Sequence, residues 1–148
     1  MTHALFMGSA AALLLQLTGC DSGPMLLPES NPTRLSEWNL FKIDDQFFAP
    51  NVETQVIYPT NSLFTDYAHK LRTIWVPPNA QITWDNENLL YPVGTILSKT
   101  FYYPKNASGE LLKVTDPLNK LIALYESKLI ETRLLVRRDD GWDAIPYV

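Results

Sequence analysis

The first nineteen residues contain no Asp, Glu, Lys or Arg, whereas all 12 Lys and Arg and all 16 Asp and Glu lie beyond Cys20. A break of this kind separates an addressing segment from the part of a chain that folds. Residues 4–15 within that segment form a continuous apolar stretch, shorter than the roughly 20 residues a bilayer-spanning helix needs. The fold must therefore be built from residues 20–148, enough for one domain with a real core but hardly for two. Cys20 is the one cysteine, so no disulfide can form within the chain and packing alone must hold it.

The boundary Leu17-Thr18-Gly19-Cys20 resembles the lipobox of bacterial lipoproteins, in which an aliphatic residue and two small ones precede the cysteine that receives diacylglycerol. Small side chains suit a peptidase that must seat the backbone in its cleft, and the thiol is the nucleophile for lipid attachment. The segment ahead of the apolar core departs from the usual pattern in carrying only His3 and the amino terminus in place of Lys or Arg. The resemblance implies a signal peptide over 1–19, lipidation at Cys20 and a membrane-anchored lipoprotein facing the periplasm. Asp21 resembles the inner-membrane retention signal of enteric bacteria. Residues 20–33, with Gly23, Pro24, Pro28 and Pro32, then read as a flexible tether ahead of a single domain over 34–148.

A net charge of −4 without a basic stripe argues against nucleic acid as a partner. Four Trp, seven Tyr and eleven Pro favour strands and turns over a helical bundle. The expected fold is mainly β, an antiparallel β-sandwich or barrel-like domain with one to three short helices. Strand-type runs are Gln55–Tyr58, Leu71–Val76, Gln81–Trp84, Thr95–Tyr103, Leu129–Arg138 and Trp142–Val148. Ser36 offers an N-cap to a short helix bearing Leu35, Trp38 and Phe41, and 62–69 carries apolar residues at helical spacing. Asp116-Pro117 suits the start of another helix, although an extended arm explains the same residues. Asp140-Gly141 between two strand-type runs predicts a tight hairpin, since glycine tolerates positive φ. Apolar residues still arrive at Tyr147-Val148, so the domain is expected to continue past this point in a longer protein.

Catalytic constellations are lacking: the sequence holds no G-x-S-x-G, no H-E-x-x-H and no clustered glycines for a phosphate loop. Neither a catalytic residue nor a metal site is expected. His69, the one histidine after the signal, could give a single imidazole to a metal or haem, but reads as a surface or helix-end residue. The carboxylate pairs Asp44-Asp45, Asp85 with Glu87, and Asp139-Asp140 sit beside turn formers and read as turn caps. Arg137-Arg138 beside the last pair reads as a self-neutralising tip. Trp75, Trp84 and Trp142 could line a sugar platform, with sheet packing the plainer role. From Thr95 onward, alternation places Ile96, Ser98 and Thr100 on one face and Leu97, Lys99 and Phe101 on the other. A lysine between Leu97 and Phe101 asks for a partner, and Glu131 is the candidate, unless the stem simply lies along the sheet and the amine reaches water.

The segments 35–41, 62–68, 91–101 and 129–148 together resemble a family of uncharacterised bacterial exported proteins. Its most specific block here is Ile130-Glu131-Thr132-Arg133-Leu134-Leu135-Val136-Arg137-Arg138 with Gly141-Trp142. In that family the module opens longer chains and accompanies c-type cytochrome segments or genes. This chain has no C-x-x-C-H, so it holds no haem by thioether bonds, and no cofactor is expected within it. The Pro92-Val93-Gly94-Thr95 turn followed by Lys99 is also similar to a segment of haem proteins in which a lysine contacts the haem.

These observations lead to three expectations. The first is a non-catalytic docking or scaffold module linked to c-type cytochrome electron transfer. The second is a small-ligand or glycan-binding or hydrolysing protein that uses Trp84, Trp142 and nearby carboxylates. The third is a non-covalent haem or metal site at His69 or Lys99. The lipid address itself is tested by Cys20→Ala: that variant should lose incorporation of radiolabelled palmitate and its membrane retention, and unchanged labelling would refute lipidation.

Overall fold

A computed structural model describes Pro24, residues 30–61 and residues 63–148. The signal segment, Cys20, Asp21 and most of the tether lie outside the described residues. The chain is mainly β, with antiparallel sheets arranged in a sandwich-like domain. The described helical structure consists of two 3₁₀ turns, Leu35–Trp38 and Leu124–Glu126. Ten strands follow one another: β1 Phe41–Ile43, β2 Phe47–Pro50, β3 Gln55–Val56, β4 His69–Trp75, β5 Thr83–Asp85, β6 Asn88–Leu90, β7 Ile96–Pro104, β8 Ile122–Ala123, β9 Ser127–Arg137 and β10 Trp142–Tyr147.

Five of them form the main sheet in the order β10-β9-β7-β4-β3, and β1-β2-β8 form a smaller one. β5 and β6 make a separate hairpin. The period-2 pattern of β7 is carried out in the structure: Ile96, Ser98, Thr100 and Tyr102 are buried, while Leu97, Lys99 and Phe101 are half-buried on the opposite face. The inner face of the main sheet packs Leu71, Trp75, Ile96, Tyr102, Leu134 and Val136 against Trp38, Leu40, Phe41, Phe48 and Ile122 from the 3₁₀ turn and the small sheet. Threonine and serine also point into this core. They are tolerated because they pair across the strands, Thr73 Oγ1 with Ser98 Oγ at 2.6 Å and Thr100 Oγ1 with Thr132 Oγ1 at 2.8 Å.

Of the three short helices expected from spacing, the first forms as the 3₁₀ turn Leu35–Trp38, and those expected over 62–69 and after Asp116 do not form. Ser36 lies inside the first 3₁₀ turn rather than at its cap. The turn begins at Arg34, whose N–H donates to Glu37 Oε2 at 2.7 Å, and it stops where Asn39 takes a left-handed φ of 52°. Phe41 therefore enters a strand. In 63–68 the consecutive left-handed residues Asp66 (φ 45°) and Tyr67 (φ 65°) exclude a helix and make a turn instead. After Asp116, Leu118 has φ 58°. The Asp116 carboxylate accepts from the N–H of Lys70 at 2.9 Å and of Leu118 at 3.0 Å, so it pins the segment to β4 instead of capping a helix. Nor is an extended hairpin arm formed: residues 112–121 contain no strand, and the strand that follows, β8, pairs with β2.

The last hairpin forms where Asp140-Gly141 placed it, with Trp142 opposite Arg137. Its tip is closed differently. Gly141 is not among the positive-φ residues; the N–H of Arg138 bonds to Gly141 O at 2.8 Å, and the Arg137 guanidinium donates to the carbonyls of Arg138 and Gly141. Arg138 reaches Asp143 Oδ2 at 3.0 Å across the hairpin rather than relying on the tip carboxylates alone. The positive φ is used at Gly94 (91°), in the turn that feeds β7, where Thr95 N and Oγ1 both donate to Pro92 O. At the entrance to the domain, Trp38 Nε1 donates to Tyr147 Oη at 2.5 Å, and Tyr147 Oη donates to Pro32 O at 2.7 Å. Asn31 bonds to Arg138 and Asp143.

The hydroxyl pairs give a test of the inner face. Thr100→Ala leaves Thr132 Oγ1 buried and unpaired, and should cost about 1–3 kcal/mol in urea unfolding. A Thr100→Val, Thr132→Val double variant should cost less than the sum of the two single valine variants, because it removes donor and acceptor together.

Candidate binding face

The outer face of the main sheet is set by register. Arg72 in β4 lies directly opposite Lys99 in β7, and Lys99 directly opposite Arg133 in β9. Directly opposed residues share a face, so the three cations form one row across three strands spaced about 4.8 Å apart. The next row holds Ile74, Leu97, Leu135 and Ala144, each opposite its neighbour. On the other side of the cations stand Lys70, Phe101 and Glu131. A groove with a cavity volume of about 580 Å³ lies over this face, lined by Arg72, Leu97, Lys99, Glu131, Arg133 and Leu135 among others.

Lys99 and Glu131 thus share the face, but they are not partners. Glu131 stands opposite Phe101, and it bonds instead to Arg133, two residues along its own strand, at 2.5 Å. Lys99 Nζ lies 5.3 Å from the centre of the Phe101 ring and Arg133 Cζ 5.1 Å, so that ring receives two cations. Among the described residues the guanidinium of Arg72 and the ammonium of Lys99 make no hydrogen bond or ion pair. Their field reaches Lys70, whose pKa is pushed below the usual lysine value first by burial and then by Arg72 and Lys99, with Asp116 opposing. Lys70 Nζ donates to Leu63 O at 3.0 Å.

A register shift between Phe101 and Tyr102 places Glu131 opposite Phe101 but Leu129 opposite Tyr102, which leaves Ile130 as a β-bulge. The bulge ends the outer-face rows at Glu131. Beyond it, Tyr102 and His69 turn inward and meet edge to face at 5.3 Å.

His69 is therefore buried in a strand, not at the surface or a helix end, and is only 2% exposed. Its Nε2 donates to Val114 O at 3.0 Å, which leaves Nδ1 as an acceptor with no partner. His69 also lines a second cavity, of about 600 Å³, together with Tyr102, Val114 and Asn119. Among the described residues no group of three or more His, Cys, Asp or Glu could hold a metal ion. Trp75 is in the core, Trp84 is exposed on the β5–β6 hairpin, and Trp142 stands on the outer face of β10, edge to face with Tyr91 at 5.3 Å. The three tryptophans form no common platform. Asp44 caps a turn, as its position suggested. It accepts from the N–H of Gln46 and of Phe47 at 2.7 Å each, and these bonds hold its carboxyl below the usual aspartate range. Only one carboxylate, Glu131, lines the groove, so it offers no acid–base pair for glycoside cleavage.

Arg72, Arg133 and Leu135 were not legible as site residues. The register that aligns them with Lys99 is set by pairing between strands and was not visible in the sequence. No family model, curated protein or solved structure is matched by the chain.

Tyr102 gives a pH signature for the inner side of this sheet. Burial pushes its hydroxyl above the usual tyrosine value, with Asn119 opposing and Asp116 adding to the shift. The unfolded chain then loses this proton at lower pH than the fold does, so the stability it supplies is present below pH about 10 and is lost as pH rises further. Tyr102→Phe should flatten the fall of urea stability as pH rises above about 10; an unchanged slope would refute the assignment.

Proposed function

We propose that this chain is a non-catalytic binding domain, held on the periplasmic side of a membrane by lipid on Cys20, and that the outer face of the main sheet engages its partner. One observation carries the reading: like charges placed directly opposite one another destabilise a sheet, and here Arg72, Lys99 and Arg133 do so with a single carboxylate to answer them. An arrangement that costs folding energy and lies on an open concave surface is the expected mark of a surface kept for binding. The resemblance to exported proteins found with c-type cytochromes supplies the setting, a periplasmic electron-transfer assembly in which this domain docks or scaffolds.

The cost is measurable without knowing the partner. Arg72→Gln should raise stability by roughly 0.2–1 kcal/mol at low salt, the usual scale of cross-strand charge effects. The gain should shrink as salt approaches 1 M, where the screening length falls to about 3 Å. Purification from cells should bring down haem absorbance with the chain, and Lys99→Glu should cut that absorbance several-fold. A loss of stability in Arg72→Gln would show that the row supports the fold, and would sink the reading.

A further inference from the structure

The chemistry of that face can be taken one step further, and the step rests on the binding reading above. The groove is divided lengthwise. One row presents Arg72 and Lys99 without an anionic partner, and the adjacent row, two residues along each strand and so about 7 Å away, presents Leu97, Leu135 and Ala144. A ligand that satisfies both rows must carry a compact anion beside a slender apolar body. The cavity volume of about 580 Å³ falls within the range of small-molecule sites. The face of the Phe101 ring is taken by Lys99 and Arg133.

We propose that the outer face of the main sheet binds a free single-chain amphiphilic anion, its carboxylate or phosphate head between Arg72 and Lys99 and its alkyl body along Leu97, Leu135 and Ala144. Glu131 is a positioning residue. By holding the Arg133 guanidinium at 2.5 Å it neutralises that cation and directs the head toward the two that remain.

Dodecanoate carrying a diazirine on its chain, added to cells that express the full chain, provides the probe. Photolysis followed by peptide mapping should place adducts in β7 or β9. The corresponding dodecanol probe should label at least tenfold less, and Lys99→Glu, Arg72→Glu or Leu135→Asp should each lower dodecanoate labelling about tenfold, equivalent to about 1.4 kcal/mol. Glu131→Gln should shift labelling toward Arg133 in β9 without abolishing it. Circular dichroism of each variant verifies that the fold is retained, and Lys99→Gln, which relieves the like-charge row, is the substitution to use if a glutamate variant fails to fold. Equal labelling by the alcohol, unchanged labelling in the charge variants, or labelling by a diazirine phosphatidylglycerol in place of the free acid would overturn the proposal. If dodecanoate fails while Arg72→Gln stabilises the fold, the ligand class is wrong and the binding face stands; if Arg72→Gln destabilises, both fall.

Discussion

The direct antiparallel pairing of β4, β7 and β9 is the constraint on which the rest of the domain depends. Seven residue pairs join His69–Trp75 to Ile96–Tyr102, and β9 continues the same rows to the next strand. A strand has only two faces, so one register decides the core and the outer surface together. It sets Leu71, Trp75, Ile96, Leu134 and Val136 inward, where Trp38 and the small sheet cover them. The same alignment sets Arg72, Lys99 and Arg133 outward. A slip of one residue would bury the charged row and expose the core, and such a state has no partner for the charges and is strongly disfavoured.

The two faces answer polarity in opposite ways. Inside, each hydroxyl of the Thr73–Ser98 and Thr100–Thr132 pairs finds its neighbour, while the Trp75 indole N–H and His69 Nδ1 are buried without one. Outside, the charged atoms are left short of partners. Phe101 and Glu131 answer part of the cationic row, and the remainder faces solvent in a groove whose walls are aliphatic. The bulge at Ile130 separates this surface from the buried His69–Tyr102 corner, where polarity is again handled by burial and hydrogen bonding.

Much of the fold was legible in the residues because it rests on local rules. Alternation from Ile96 to Tyr102, the Gly94 turn and the hairpin before Trp142 all depend on neighbours within a few positions. The short strands Phe41–Ile43 and Phe47–Pro50 were not seen, since three or four residues carry no periodic signal, and the second ends in proline. The expected helices after Ser62 and Asp116 failed for a long-range reason. Asp116 is drawn to the N–H of Lys70, 46 positions away, and that bond outweighs a local propensity. The candidate site was legible only in part for the same reason: Lys99 and Glu131 stood out in the sequence, but strand register chose Arg133 over Lys99 as the partner of Glu131 and brought Arg72 alongside.

The bond chain from Pro32 through Tyr147 to Trp38 also has a mechanical meaning. It joins the segment by which the chain enters the domain to β10, the edge strand of the main sheet, and to the largest side chain of the core. A pull on the leader is therefore delivered to an edge strand and an indole that interlock with the fold, and not to a loose end that peels away. Force applied through that segment meets this interlock before it reaches the pairing of β4, β7 and β9, so the rows on the outer face keep their alignment while the entering chain is under load.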